Sequence, residues 1–120
     1  MLMKIKKKED ICLIVRGQMF RSGGQHSRET HHSYDAHKHI MESIRINIMG
    51  PLSRYWNVVV ICDVITTDTN TAREILNILK PFKIRTNVSF PSSQVQGWLN
   101  SINFAKENTD SSKMFIVRAD

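Results

Sequence analysis

Three short runs of this chain are apolar at every position: Ile11-Cys12-Leu13-Ile14-Val15, Val58-Val59-Val60-Ile61-Cys62 and Met114-Phe115-Ile116-Val117. A short, uninterrupted, β-branched run bounded by polar residues suits a strand buried on both faces. Such strands belong to a parallel sheet covered by helices, because a solvated face would demand a polar residue at every second position. The segment from Ile84 to Phe90 follows the other rule. Ile84, Thr86, Val88 and Phe90 alternate with Arg85, Asn87 and Ser89. That period of two predicts one exposed face, as at a sheet edge.

Between these runs the apolar period becomes helical. Ala36, Ile40, Met41, Ile44 and Ile48 fall on one stripe, which Gly50-Pro51 is expected to stop. Ala72, Ile75, Leu76 and Leu79 make a second stripe, introduced by Thr71-Ala72-Arg73-Glu74 at capping-box spacing and closed by Pro81. Asp68 reads as a residue near that helix start. Val95, Trp98, Leu99, Ile102 and Ala105 make a third stripe, with Ser93 and Gln96 offering a cap. Trp98 is expected to pack in the core. The order is strand, long loop, helix, strand, helix, strand, helix, strand. Strict alternation implies right-handed crossovers and an α/β, Rossmann-like, mostly parallel sheet. With the third strand at an edge, the simplest spatial order is 3-2-1-4. The strand order then reverses between the first and fourth strands, and open α/β sheets bind ligands beyond the carboxyl ends of the strands at such a point.

The 120 residues suffice for one domain with one core, and 41% apolar content argues against disorder. No apolar run nears the roughly 18 residues of a membrane span. The stretch behind the Lys-rich start is too short for a signal-peptide core, so a cytoplasmic protein is expected. Cys12 and Cys62 sit inside apolar runs, where buried reduced thiols are expected rather than a disulfide. Residues 1–54 hold ten Lys/Arg against five Asp/Glu, +5 of the net +6. A basic half suggests an anionic partner such as phosphate, nucleotide or nucleic acid; the alternative for Lys4, Lys6, Lys7 and Lys8 is a solvated terminus.

Three clusters could carry chemistry. After the first strand, Arg16, Arg21 and Arg28 flank Gly17 and a Gly23-Gly24 pair. Guanidinium groups and exposed backbone N–H groups could bind phosphate there, although the glycine spacing matches neither a P-loop nor a dinucleotide fingerprint. A flexible basic loop is the other reading. Asp63, at the expected end of the second strand, is placed to meet a ribose hydroxyl or a base edge, or to serve ordinary loop chemistry. Arg118-Ala119-Asp120 closes the fourth strand; Asp120 could hold a hard divalent ion, or pair with Arg118 at the surface. His26, His31, His32, His37 and His39 lack the spacing of a zinc site and read as a polar loop and the start of a helix.

The element order, the Arg16-Gly17-Gln18-Met19-Phe20-Arg21 stretch after Leu13 to Val15, and the closing Phe115-Ile116-Val117-Arg118-Ala119-Asp120 resemble the N-terminal half of GT-A-type glycosyltransferases. The pattern is similar to glycosyltransferase sequences of algal and giant viruses. The resemblance implies a nucleotide-diphosphate-sugar site, with Arg16, Gly17, Arg21, Asp63 and Arg118 near the donor. It also implies Mn²⁺ or Mg²⁺ held at Asp120, which stands in for one acidic residue of a D-x-D motif. It covers residues 1–120 as one donor-binding domain, a C-terminally truncated piece without the acceptor half. The alternative is a basic nucleotide- or nucleic-acid-binding α/β module without catalysis. Scarce aromatic platforms speak against nucleic acid.

Overall fold

The computed structural model describes residues 8–20, 34–89 and 91–119. Four strands form one parallel sheet: β1 (Asp10–Met19), β2 (Asn57–Thr66), β3 (Lys83–Asn87) and β4 (Met114–Arg118). Their spatial order is β3-β2-β1-β4, as the alternation of elements predicts. The helices are α1 (Tyr34–Ile44), α2 (Gly50–Ser53), α3 (Thr69–Leu76) and α4 (Gln94–Asn108). No helix among the described residues is long and apolar enough to cross a membrane.

The two central strands are apolar on both sides because each side has its own core. Leu13, Val15 and Met19 of β1 join Val60, Cys62 and Val64 of β2 against Met41 and Ile44 of α1 and Ala72, Ile75 and Leu76 of α3. Cys12 and Ile14 join Ile61 on the opposite face, against Phe104 and Ala105 of α4. Full burial of each large side chain contributes about 1.5–3 kcal/mol. The cysteines therefore lie on opposite faces of the sheet, both as free thiols. β4 departs from the doubly buried strand its composition suggests. It pairs only with β1 among the described strands, and Phe115 is 43% exposed.

Three local expectations change. Gly50-Pro51 does not end the first helical run. Residues Arg45–Met49 widen into a π-helical turn, Gly50 N–H donates to Arg45 O, and a last α-turn continues through Pro51 to Ser53. Such π-helical turns are rare and occur mostly as single-turn insertions within α-helices. The second cap is Asp68, whose carboxylate accepts from Thr71 N–H at 3.2 Å, so Thr71 sits inside α3. Ser93 caps α4 as expected, accepting from Gln96 N–H at 3.0 Å.

The third correction concerns which face of α4 is buried. Gly97, Ser101, Phe104 and Ala105 face the sheet, while Val95, Trp98 and Leu99 are 70%, 41% and 48% exposed. Ala105 of the expected stripe is buried and Ile102 packs on the core, but its first half turns outward because the sheet beneath that part of α4 carries charged side chains. Small and polar residues fit over those; Val and Leu do not.

Candidate functional site

The register of the sheet assembles the site. Arg16 of β1 pairs with Asp63 of β2 and with Arg118 of β4, and Asp63 pairs with Arg85 of β3. In-register partners on parallel strands point to the same face. Arg118, Arg16, Asp63 and Arg85 thus form one charged row across all four strands. In the row below it Ile116, Ile14 and Ile61 are in register, with Lys83 at the β3 edge. On the two central strands polarity along this face therefore switches within two residues.

Asp63 organises the row. Arg85 donates from Nε to Oδ1 at 2.9 Å and from Nη2 to Oδ2 at 2.8 Å. Asn87 Nδ2 donates to Oδ1 at 3.2 Å and Ser101 Oγ to Oδ2 at 2.8 Å. A carboxylate offers about four acceptor sites, and these donors fill them. Asp63 lies within β2, three residues before its end, rather than at the strand terminus. Its side chain holds Arg85 and Ser101 in place, so a ribose hydroxyl would have to displace one of those donors.

Arg85 and Arg16 are each fixed by more than one contact. Arg85 Nη2 also reaches Asn100 O at 3.2 Å, and its guanidinium lies 4.3 Å from the centroid of the Phe104 ring. Hydrogen bonding to Asp63 pushes the Arg85 pKa up from its ordinary value, against a smaller opposing effect of burial. Arg16 Nε donates to Ser101 Oγ at 3.3 Å, and its guanidinium lies 5.5 Å from the Trp98 ring centroid. Ser101, 2% exposed, thereby links the two guanidinium groups through Asp63. Gly97 makes the room: a Cβ there would come within 2.7 Å of Arg16 Nη2 and 3.1 Å of Pro91 Cγ. Gly17 follows Arg16 at φ 134°, a backbone conformation that side-chain-bearing residues rarely adopt. The Arg-Gly pair is thus a local requirement of the strand as well as a source of charge.

Two cavities open along this row. The larger, about 470 Å³, lies over β1, β2 and β3 and is lined by Arg16, Asp63, Arg85, Asn87, Asn103 and Glu107, among others. The smaller, about 290 Å³, lies at the β1/β4 reversal, where Arg118 joins Arg16 and Gln18. Ala119 N–H donates to Arg16 O at 2.8 Å, which brings the ends of β1 and β4 together as the inferred strand order requires. Three guanidinium groups stand against one carboxylate in the row, formally +2; the larger cavity, with Arg16 and Arg85 against Asp63 and Glu107, is formally neutral, and the smaller, with Arg16 and Arg118, is formally +2.

Of the residues expected from the sequence, Arg16, Gly17, Asp63 and Arg118 meet along this row. Arg21, Arg28, His26, His31, His32 and Asp120 lie outside the described residues. His37 is buried in α1 and its Nε2 accepts from Phe20 N–H at 3.1 Å. The sequence reading missed Arg85, Asn87, Gly97 and Ser101. The signal for the first two was present: the polar positions of β3, read as a solvent face, line the cleft. Trp98, expected in the core, instead presents its ring beside Arg16 at the surface.

Among the described residues no three His, Cys, Asp or Glu side chains come together as a metal-ligand set. Asp63 has its acceptors filled, and the metal expectation rests on Asp120. Comparison with protein-family models, with curated proteins and with solved structures returns no match, which leaves the geometry of this cleft as the basis for assigning a role.

Proposed function

We propose that the cleft binds the phosphate groups of a nucleotide, and that this nucleotide is the diphosphate-sugar donor for transfer of a glycosyl group to an acceptor hydroxyl. The observation that carries the reading is the row Arg118–Arg16–Asp63–Arg85 facing two connected cavities near the carboxyl ends of parallel strands. Guanidinium forks match phosphate oxygens in shape and charge, and ligands of open α/β sheets gather at this end. The sugar and the transfer come from the sequence resemblance alone.

The contribution of these side chains to such a reaction is electrostatic. Arg85 is held by Asp63 and Asn100, and Arg16 by Ser101 and Gly97, before any ligand arrives. Donors fixed in advance stabilise charge that grows on a leaving diphosphate without the cost of reorienting them. A Mn²⁺ or Mg²⁺ ion, when bound, would add a Lewis acid for the same leaving group. Its proposed ligand is Asp120.

Calorimetric titration of the full chain with pyrophosphate and nucleoside diphosphates, with and without Mn²⁺, tests the reading. Binding that Arg16→Ala and Arg85→Ala each weaken at least tenfold is expected, along with a Mn²⁺ enhancement that Asp120→Ala removes. No binding of either ligand by the wild type, or no effect of both arginine substitutions, would overturn it. Steeply salt-dependent binding of oligonucleotides without nucleotide binding would favour the non-catalytic nucleic-acid module.

A further inference from the structure

Gln18 is two residues beyond Arg16 on the same face of β1, and it pairs with Ile65. Its Oε1 is shut off from solvent and accepts no hydrogen bond among the described residues. A buried amide oxygen without a donor is unfavourable, and sites of this kind in a cavity wall ask for a donor from outside the chain. The side chain lines the smaller cavity, which shares Arg16, Gly17, Ile65 and Pro91 with the larger one. The two cavities are therefore two ends of one cleft, with Arg16 between them. Their chemistry differs. The larger end alone has Arg85, Asn87 and Asn103, together with Asp63 and Glu107. The smaller end alone has Gln18, Ser93, Gln94 and Arg118, and the apolar Ile65 and Pro91 lie where the two ends join.

Resting on the phosphate reading above, we propose that Gln18 is a specificity-determining residue. Its Oε1 accepts a hydrogen bond from an N–H or O–H on the nucleoside end of the ligand, which sits between Ile65 and Pro91. The phosphates then lie against Arg16, which lines both ends of the cleft. The donor chemistry is shared by a base N–H and a ribose O–H.

The test compares the wild-type chain with Gln18→Leu, using pyrophosphate, the four ribonucleoside diphosphates and their 2′,3′-dideoxy counterparts. The wild type should bind at least one nucleoside diphosphate more tightly than pyrophosphate. Gln18→Leu should weaken that nucleoside diphosphate about tenfold, the scale of one hydrogen bond, and leave pyrophosphate within about twofold. An advantage lost with the dideoxy ligand assigns the donor to the ribose; a preference among bases that vanishes in Gln18→Leu assigns it to the base. Without ligand, Gln18→Leu should raise Tm, because it replaces an unsatisfied acceptor with apolar surface. A lower Tm would show that Gln18 is already paired within the chain and overturn the assignment. So would equal loss of pyrophosphate and nucleoside diphosphate in the variant. Wild-type protein that binds pyrophosphate but gains nothing from the nucleoside would remove the role of Gln18 and leave the arginine reading intact. Failure to bind any of these ligands would remove both.

Discussion

The two faces of the sheet use the same strands for opposite purposes. On the face covered by α1 and α3, β1 presents Leu13, Val15 and Met19, all fully buried. On the face beneath α4 the same strand presents Cys12 and Ile14, then Arg16 and Gln18. One face stays apolar to the strand end, and the other changes character halfway along. The side-chain period of two lets a single strand do both, since neighbouring residues face different layers. The closed face carries the larger apolar core along the whole strand, while the α4 face has a smaller core and gives the rest of its length to a polar cleft held together by hydrogen bonds.

Substitutions that strike one face and spare the other can break that division. The largest expected effect is on the closed face. Leu13→Ala should lower unfolding free energy by about 2–5 kcal/mol in denaturant titration, the range for a buried Leu whose cavity cannot collapse. The protein that remains folded should keep its affinity for pyrophosphate. If affinity falls in proportion to stability, the faces are not independent.

Asp63→Ala addresses the cleft face. It removes the acceptor of Arg85, Asn87 and Ser101 together. Breaking a buried ion pair costs about 3–5 kcal/mol when both partners are enclosed. The Arg85 side chain is 35% exposed, so solvation recovers part of that and about 1–3 kcal/mol is expected. Anion affinity should fall more than stability does, because Arg85 and, through Ser101, Arg16 lose their set positions. Unchanged pyrophosphate binding would show that the arginines need no such support.

The third effect is pH-dependent and belongs to the closed face. Burial, with a smaller contribution from the Asp63 charge, pushes the Cys62 thiol from its ordinary 9.0 up to about 12. The native state then holds its proton where the unfolded chain releases it. Stability from this group is fully present below pH 9 and declines as pH rises from there toward 12, where the native thiol also ionises. At pH 10 the loss is about 1.4 kcal/mol, one unit beyond the unfolded value. Cys62→Ala should show a correspondingly shallower decline over pH 9 to 10. An identical slope would mean that Cys62 is more open than the fold indicates.

The smallest effect on stability, and the sharpest on the site, comes from Gly97→Ala. The added Cβ meets the far end of a flexible side chain, Arg16 Nη2 at 2.7 Å, and helix propensity favours Ala by about 1 kcal/mol. Tm should change little while pyrophosphate affinity drops several-fold, because Arg16 must move. A drop in Tm without a change in binding would mark Gly97 as a packing position only.

The fold was largely legible because its signals are local. Unbroken apolar runs at Ile11 to Val15 and Val58 to Cys62 state double burial, and strict alternation of elements limits the topology. Asp68 and Ser93 announced two helix starts through side chains that satisfy backbone N–H groups nearby. Arg16, Gly17, Asp63 and Arg118 could be picked out as charges or glycines flanking such runs. Their partners could not. Arg85 and Ser101 look like ordinary surface residues in one dimension, since hydrogen bonds spanning 22 and 38 residues leave no periodic trace.

The sequence by itself determined a parallel α/β sheet and which strands are central, because hydrophobic periodicity is written residue by residue. Only the tertiary structure decided that Arg118, Arg16, Asp63 and Arg85 stand at one level. It also decided that the first half of α4 turns Gly97 and Ser101 inward in place of Val95, Trp98 and Leu99. Register and helix rotation follow from the joint packing of separate segments. The choice belongs to the charged row beneath α4, which accepts only small or polar neighbours and leaves Val95, Trp98 and Leu99 outside.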